Sequence, residues 1–386
     1  MTRPTSHSLA SLPRTYAVLQ DGMTQQLHIG VQLYIVHSGN VLVDAALGDA
    51  RPGPLPVPLR PDTLMLWLSA GKPLTAAAIA LLWEQGKLQL DDPIARYIPP
   101  FAQYGKDQVT IRHVLTHTAG LRGLYPGPVT TPWEESIASL CAGRMEPDWP
   151  PGTKAGYHPY TSWSLLGEII RRIDGRSCAD YVHQEICRPL GMNDTWLALT
   201  PAQQAAYGPR LGQLMVTTHG RLALSDLDTP ERSAHCRPAS SARGPIRELG
   251  YFYEMLLGRG QRRTATGQPL GPRLLQEKTV AEMTRRQRTD MVDLSFKQKM
   301  DWGLGLLMNS AHYAPPNAPP GHPYGYGPYA GRDAFGHGGA QSSLGMADPE
   351  HELVVGAHFN GCPGEPAHDR HNRAFFKALY EDLGLA

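Results

Sequence analysis

Strand patterns lie at both ends of this chain, and helix patterns fill its middle. That order restricts the fold more than any other feature of the 386 residues. Residues 28–48, HIGVQLYIVHSGNVLVDAALG, read as two strands around the turn Ser38-Gly39-Asn40. Near the other end, Phe335–Asp348 and Glu352–Asn360 read as strands, with Pro349-Glu350-His351 as the turn. Between them lie helix formers from Ala76 to Gln85 with Gly86 as a stop, and a short helix over Ile111–His117. A third segment, about 162–173, puts Leu165, Leu166, Ile169, Ile170 and Ile173 on one face and ends at Gly175. Further helices are expected over Cys178–Arg188, near 245–257 and over 369–383. The simplest topology is an α/β (α+β) sandwich. One antiparallel sheet takes strands from both termini and is flanked by helices, with a mostly helical region inserted. Residues 14–68 and 298–386 then form one domain and 69–297 the other.

The charge balance narrows the function. Lys and Arg number 36 against 35 Asp and Glu, a net charge of +1. A near-neutral chain is a poor candidate for a nucleic-acid binder, and no window reaches the ~18 apolar residues of a membrane helix. The first twenty residues hold no apolar run of signal-peptide length, so a cytoplasmic location is expected. Five cysteines without a C-x-x-C pair read as free thiols. Forty glycines and 35 prolines make close to a fifth of the chain, against a usual ~12%.

Ser69-Ala70-Gly71-Lys72 is the first chemical candidate. On a helix beginning at Ser69, positions i and i+3 share a face, so the Lys amine reaches the Ser hydroxyl. A Ser hydroxyl becomes a nucleophile when a base takes its proton. Lys serves as that base once burial or a neighbouring cation lowers its pKa. On spacing alone, a surface Lys beside a helix-capping Ser explains the pair equally well.

The surroundings separate these readings. The stretch SAGKPLTAAAIALLWEQGKLQLDDPIARYIP, followed by VTIRHVLTHTAGL, PGTKAGYHPYTSWSLLGEIIRRIDG, PLGMNDT and FGHGGAQSSLGMADPEHELVV, resembles the serine β-lactamase-like family. That family includes class C β-lactamases, D-alanyl-D-alanine peptidases, family VIII carboxylesterases and related acyltransferases. The resemblance covers most of the chain in the family's order. It implies a β-lactamase/transpeptidase-like fold with the active site between the two domains. It makes Ser69 the acylated nucleophile, Lys72 its base and Tyr157 the proton-transferring tyrosine of the second motif. His337-Gly338-Gly339 occupies the third motif on an edge strand, and the backbone N–H groups of Ser69 and Ala340 form the oxyanion hole. Two glycines there let a substrate lie close to the strand.

Two motifs depart from the family's pattern. The second reads Tyr157-His158-Pro159 where Tyr-x-Asn is usual, and Pro159 has no side-chain amide to donate. The third begins with His337 where Lys is common, and His carries less charge near neutral pH. Both changes weaken recognition of a peptide or β-lactam carboxylate, so an efficient β-lactamase is not expected. An ester hydrolase acting on a small-molecule ester or acyl substrate is favoured. An acyltransferase with an amine or alcohol as second substrate is the alternative, and an inactive binding protein with the same fold is the third reading. The chemistry needs no cofactor or metal, and oligomeric state is left open. His158 is a second candidate shuttle. Residues 310–334, dense in Pro, Gly and Tyr, are expected to line or lid the site through Tyr313, Tyr324, Tyr326 and Tyr329; Trp302 reads first as a core residue, with the floor of the same pocket as the alternative.

Overall fold

The computed structural model describes residues 9–314 and 325–386. Its main sheet has seven strands: β1 (Gly30–His37), β2 (Asn40–Arg51), β3 (Val57–Pro58), β4 (Leu307–Met308), β5 (Phe335–Gly339), β6 (Ser343–Asp348) and β7 (Leu353–Phe359). Their spatial order is β4-β5-β6-β7-β1-β2-β3, and every pairing is antiparallel. The two chain ends meet where β1 pairs with β7, Val31 opposite Phe359 through to His37 opposite Leu353. The β1–β2 turn is made by Ser38 and Gly39, with φ of 47° and 72°. Positive φ at both central residues gives the twist that suits a two-residue hairpin.

The segment Phe335–Asp348 is not one strand. It folds back on itself, because Ala340 and Gln341 take φ of 29° and 68° and reverse the chain between β5 and β6. The fold thereby gains a strand, and the turn becomes part of the site described below.

Period-2 alternation divides β1 between two cores. Val31, Leu33 and Ile35 face a cluster with Leu19, Phe375, Phe376 and Leu379 from the terminal helices. Tyr34 and Val36 face the other cluster, with Leu249, Phe252 and Tyr253. The helices are α1 (Pro13–Thr24), α2 (Lys72–Glu84), α3 (Ser162–Asp174), α4 (Ile246–Leu257) and α5 (Ala367–Asp382). Helix α4 lies close on the sheet, since a side chain at Gly250 would strike the ring of Tyr34. Residues Lys72 to Leu82 of α2 are all buried, as befits a helix that is apolar all round. Helix α3 buries Leu165, Leu166, Ile169 and Ile170 and stops at Gly175 with φ of 92°.

Helix α1 was not expected from the sequence. Its pattern is faint: only Thr15, Leu19 and Gly22 are buried. Docking on α5 holds it, with Thr15 N and Oγ1 donating to the Asp382 carboxylate at 2.8 and 2.9 Å. Among the described residues no helix is long and apolar enough to cross a membrane, and all five cysteines are free.

Candidate active site

A cavity of about 630 Å³ opens in front of Ser69. Ser69 sits in a 3₁₀ turn, Leu68–Gly71, that feeds directly into α2. Leu68 has φ of 51°, a left-handed conformation that costs a non-glycine residue ~1 kcal/mol or more. The surrounding contacts hold it there. Trp67 N donates to Ala242 O at 2.7 Å, and Trp67 Nε1 to Gly244 O at 2.9 Å. Gly71 lies so close to Ala242 that a side chain there would collide with it. These contacts press the segment around Ala239–Gly244 against the nucleophile turn.

That packing decides the environment of Lys72. Its Nζ is 3.0 Å from Ser69 Oγ and donates to Pro159 O at 2.9 Å and Ala239 O at 2.8 Å. The side chain is fully buried, and none of the ion pairs among the described residues involves it. Burial pushes its pKa well below the ordinary lysine value. A carbonyl oxygen can only accept. A neutral amine therefore spends both N–H groups on Pro159 O and Ala239 O, which leaves its lone pair for the Ser69 hydroxyl. Pro159 lacks the amide of the family motif, yet its carbonyl fixes the base.

Tyr157 lines the cavity beside this pair, with Lys72 Nζ 5.2 Å from its ring centroid. The ring stacks on Trp302 at 5.8 Å and meets His117 and His337 at 4.7 and 5.9 Å. Its backbone is held from the 290s. Tyr157 N donates to Asp293 Oδ1 at 3.1 Å, and Ser295 Oγ donates to Tyr157 O at 3.0 Å. The other Asp293 oxygen accepts from Arg288 at 3.0 Å in an ion pair buried to 1% and 0% exposure. No sequence motif marks Asp293, and the basic run Arg285-Arg286-Gln287-Arg288 reads as charged surface, whereas Arg288 is buried.

The third motif meets the nucleophile at the end of β5. A side chain at Gly339 would strike Trp67 O and come within 3.1 Å of Ala70 N, and Ser343 Oγ donates to Trp67 O. Gly339 therefore serves the packing of strand on turn; it is Gly338, Ala340 and Ser69 that line the cavity.

His337 also lines it. Its Nδ1 is 2.7 Å from Gly338 O, so that nitrogen carries the proton and donates. Nε2 then holds a lone pair and is buried without a partner. Burial, and secondly Lys72, push the His337 pKa down to about 3. The position presents a neutral acceptor where a lysine would present a cation.

His158 does not line the cavity. Its N donates to His117 Nδ1 at 3.0 Å, its Nδ1 is 3.1 Å from Ser162 Oγ, and Leu121 N donates to its Nε2 at 3.5 Å. Burial, then Arg288, lower its pKa to about 3. It braces the second motif against α3, and the geometry offers no route for it as a shuttle. Trp302 is a core residue, 1% exposed, and one side of it also lines the cavity. Tyr326 does not: it is buried under α5 near Phe376, and its hydroxyl donates to Leu307 O at 2.9 Å. Tyr329 packs against the same core. The Tyr313 hydroxyl donates to Asp301 Oδ1 at 2.9 Å, which ties that ring to the 290–301 loops. Tyr324 and residues 315–324 lie outside the described residues.

The model of the Beta-lactamase family matches residues 17–379. Penicillin-binding protein 4* of Bacillus subtilis is 34% identical over 145 residues, covering 36% of this chain and 31% of that protein. Esterase EstB of Burkholderia gladioli is 30% identical over 216 residues, covering 50% of this chain and 53% of that protein. The matches thus span about a third and about half the length of these two curated relatives. Among solved structures, a penicillin-binding protein homologue from Caulobacter crescentus superposes with a TM-score of 0.75 at 27% identity, covering 98% of this chain and all of that one. With a family match running almost from end to end of a chain that has this sheet order and this Ser–Lys–Tyr cluster, the protein belongs to the beta-lactamase family.

Proposed function

We propose that the protein is a serine enzyme that transfers an acyl group through an acyl-Ser69 ester and releases it to water, as a carboxylic ester hydrolase. The observation that carries this reading is the position of Lys72 Nζ, 3.0 Å from Ser69 Oγ and anchored by two carbonyls. As Ser69 Oγ bonds the acyl carbon, its proton passes to the Lys72 lone pair. The oxyanion that forms is received by the N–H groups of Ser69 and Ala340. Collapse of the tetrahedral intermediate breaks the bond to the leaving alkoxide, which takes a proton through Tyr157 and Lys72. Water then attacks the acyl carbon, gives a proton back through the same groups and frees the acid.

The neutral His337 and the side chain of Pro159 supply neither a cation nor an amide to a β-lactam or peptide, which supports esters as substrates. An acyltransferase shares the first half of this reaction. The cavity, about 630 Å³ and within the ordinary range for one ligand, is compatible with both.

Intact-mass spectrometry with a fluorophosphonate and with activated short-chain esters tests the proposal. The wild-type protein should gain one adduct, and Ser69→Ala none. A wild-type protein that stays unlabelled would leave the binding-protein reading standing. Candidate alcohols or amines added to the acyl-enzyme should compete with water if the protein is a transferase; equal turnover without them assigns it to hydrolysis.

A further inference from the structure

The cavity in front of Ser69 has two unlike walls. One is apolar and aromatic, with Phe296, Met300, Trp302 and Leu307. The other comes from residues 232–241 and carries Arg232, Ser233, Arg237, Ser240 and Ser241. Arg237 is only 7% exposed. The other buried arginines among the described residues face carboxylates: Arg288 faces Asp293 and Arg243 faces Asp228. Arg237 has no such partner among the described residues. Burial pushes its pKa down.

The hydrogen bonds of Arg237 leave part of it unused. Nη2 donates to Pro128 O at 2.7 Å and to Thr131 O at 3.2 Å. Those two carbonyls fix the guanidinium on the loop that carries Pro126, Gly127 and Val129 into the cavity lining. A guanidinium has five N–H donors in a planar fork. Among the described residues nothing accepts from its Nε or Nη1. A buried cation without a counter-charge is costly unless something completes it. The fork matches a carboxylate. Among the described residues Glu365 is the one carboxylate on this cavity's lining; Arg237 also borders a second, smaller cavity lined by Glu134, and it forms an ion pair with neither.

We infer that the 232–241 wall is a carboxylate-binding subsite: Arg237, with Arg232 from the same segment, receives a carboxylate carried by the substrate while the scissile ester lies at Ser69. The inference rests on the acyl-transfer reading and names a substrate class for it, esters that bear a free carboxylate. That carboxylate belongs to the acyl half, as in a half-ester of a dicarboxylic acid, or to the alcohol half. Either way, closing the ion pair inside the cavity offsets the desolvation of the arginine.

Two pairs of esters distinguish these sources. The first compares 4-nitrophenyl hydrogen glutarate with 4-nitrophenyl valerate, and the second compares the butyrate esters of 4-hydroxybenzoate and of its methyl ester. In one pair kcat/KM should favour the charged member by about tenfold or more, as a charge-assisted bidentate contact predicts. Arg237→Gln keeps a donor for Pro128 O and Thr131 O but loses the charge. It should erase the preference, lowering kcat/KM for the charged member by about tenfold more than for the neutral one. Arg237→Lys should retain part of the preference and keep the subsite testable if the glutamine variant does not fold. Equal kcat/KM for charged and neutral members in both pairs would overturn the inference, and so would an equal loss on both members in Arg237→Gln. Turnover of neutral esters with no charge preference refutes the subsite alone, whereas a wild-type protein that never acylates refutes the acyl-transfer reading. Equilibrium binding of glutarate monoesters to Ser69→Ala reads the subsite without turnover. Binding no tighter than that of the neutral analogue would count against it.

Discussion

Replacing Lys72 with methionine keeps the length and apolar stem of the side chain and removes its lone pair. The structure sets what that should cost. Nζ lies 3.0 Å from Ser69 Oγ, within direct proton-transfer reach. Its other two contacts, Pro159 O and Ala239 O, can only accept. A positioned general base contributes ~10²–10⁴ in rate, so fluorophosphonate labelling of Ser69 should slow by about that factor in Lys72→Met. Lys72→Arg should fall as far, because a guanidinium stays protonated. The wild-type labelling rate should rise with pH along a limb centred well below the ordinary lysine value of 10.5, since burial disfavours the ammonium. Both variants should lack that limb.

Stability gives a second readout with a definite sign. Above the unfolded lysine pKa both states are neutral and the contribution of Lys72 is fully present. As pH falls below that value, the unfolded chain takes up a proton that the folded chain resists. Wild type should therefore lose stability relative to Lys72→Met by ~1.4 kcal/mol per pH unit until the folded pKa is reached, and then run parallel to it. Urea unfolding of both proteins across this range measures the difference. A limb centred near 10.5, or a stability difference independent of pH, would show that Lys72 is charged in the folded protein and would remove it as the base.

Burial lowers His28, His158 and His337 to about 3 and His358 to about 4. Their contribution is fully present above the ordinary value of 6.5 and is lost as pH falls towards those values, so urea midpoints should drop between pH 7 and 5. Glu248, raised by burial from 4.5 to about 7, works in the opposite sense across all of that range, and the four histidines outweigh it once the pH is below 6.5; ring NMR signals that charge near 6.5 would contradict this. Asp293→Ala should destabilise the fold by ~3–5 kcal/mol, because it leaves the buried Arg288 without its partner. It should also lower kcat, because Tyr157 loses its anchor; a thermal midpoint and a kcat close to wild type would show that Asp293 is not the brace.

Local chemistry carried much of this structure. The β1–β2 turn, α3 with its Gly175 stop and the Ser69–Lys72 spacing follow from neighbouring residues, because turn preference and helical periodicity act over a few positions. The meeting of both termini in one sheet follows from strand patterns at each end. Helix α1 and the reversal at Ala340 and Gln341 did not show, since the first depends on docking against α5 and the second on two residues in a left-handed conformation. The tyrosines of the Pro- and Gly-rich segment misled for a related reason. An exposed aromatic ring and one buried like Tyr326 look alike in a sequence, and packing under α5 chose the second.

The sequence by itself determined the nucleophile turn, the order of the motifs and the family they resemble. Tertiary structure decided the protonation state of the site. The burial that lowers the pKa of Lys72, the carbonyls of Pro159 and Ala239 that orient its amine, and the Gly338 carbonyl that sets the tautomer of His337 come from packing and backbone, not from motif side chains. They become visible only when segments 80 to 170 residues apart close around one amine, because burial and geometry, not residue identity, set the free energy of a charge.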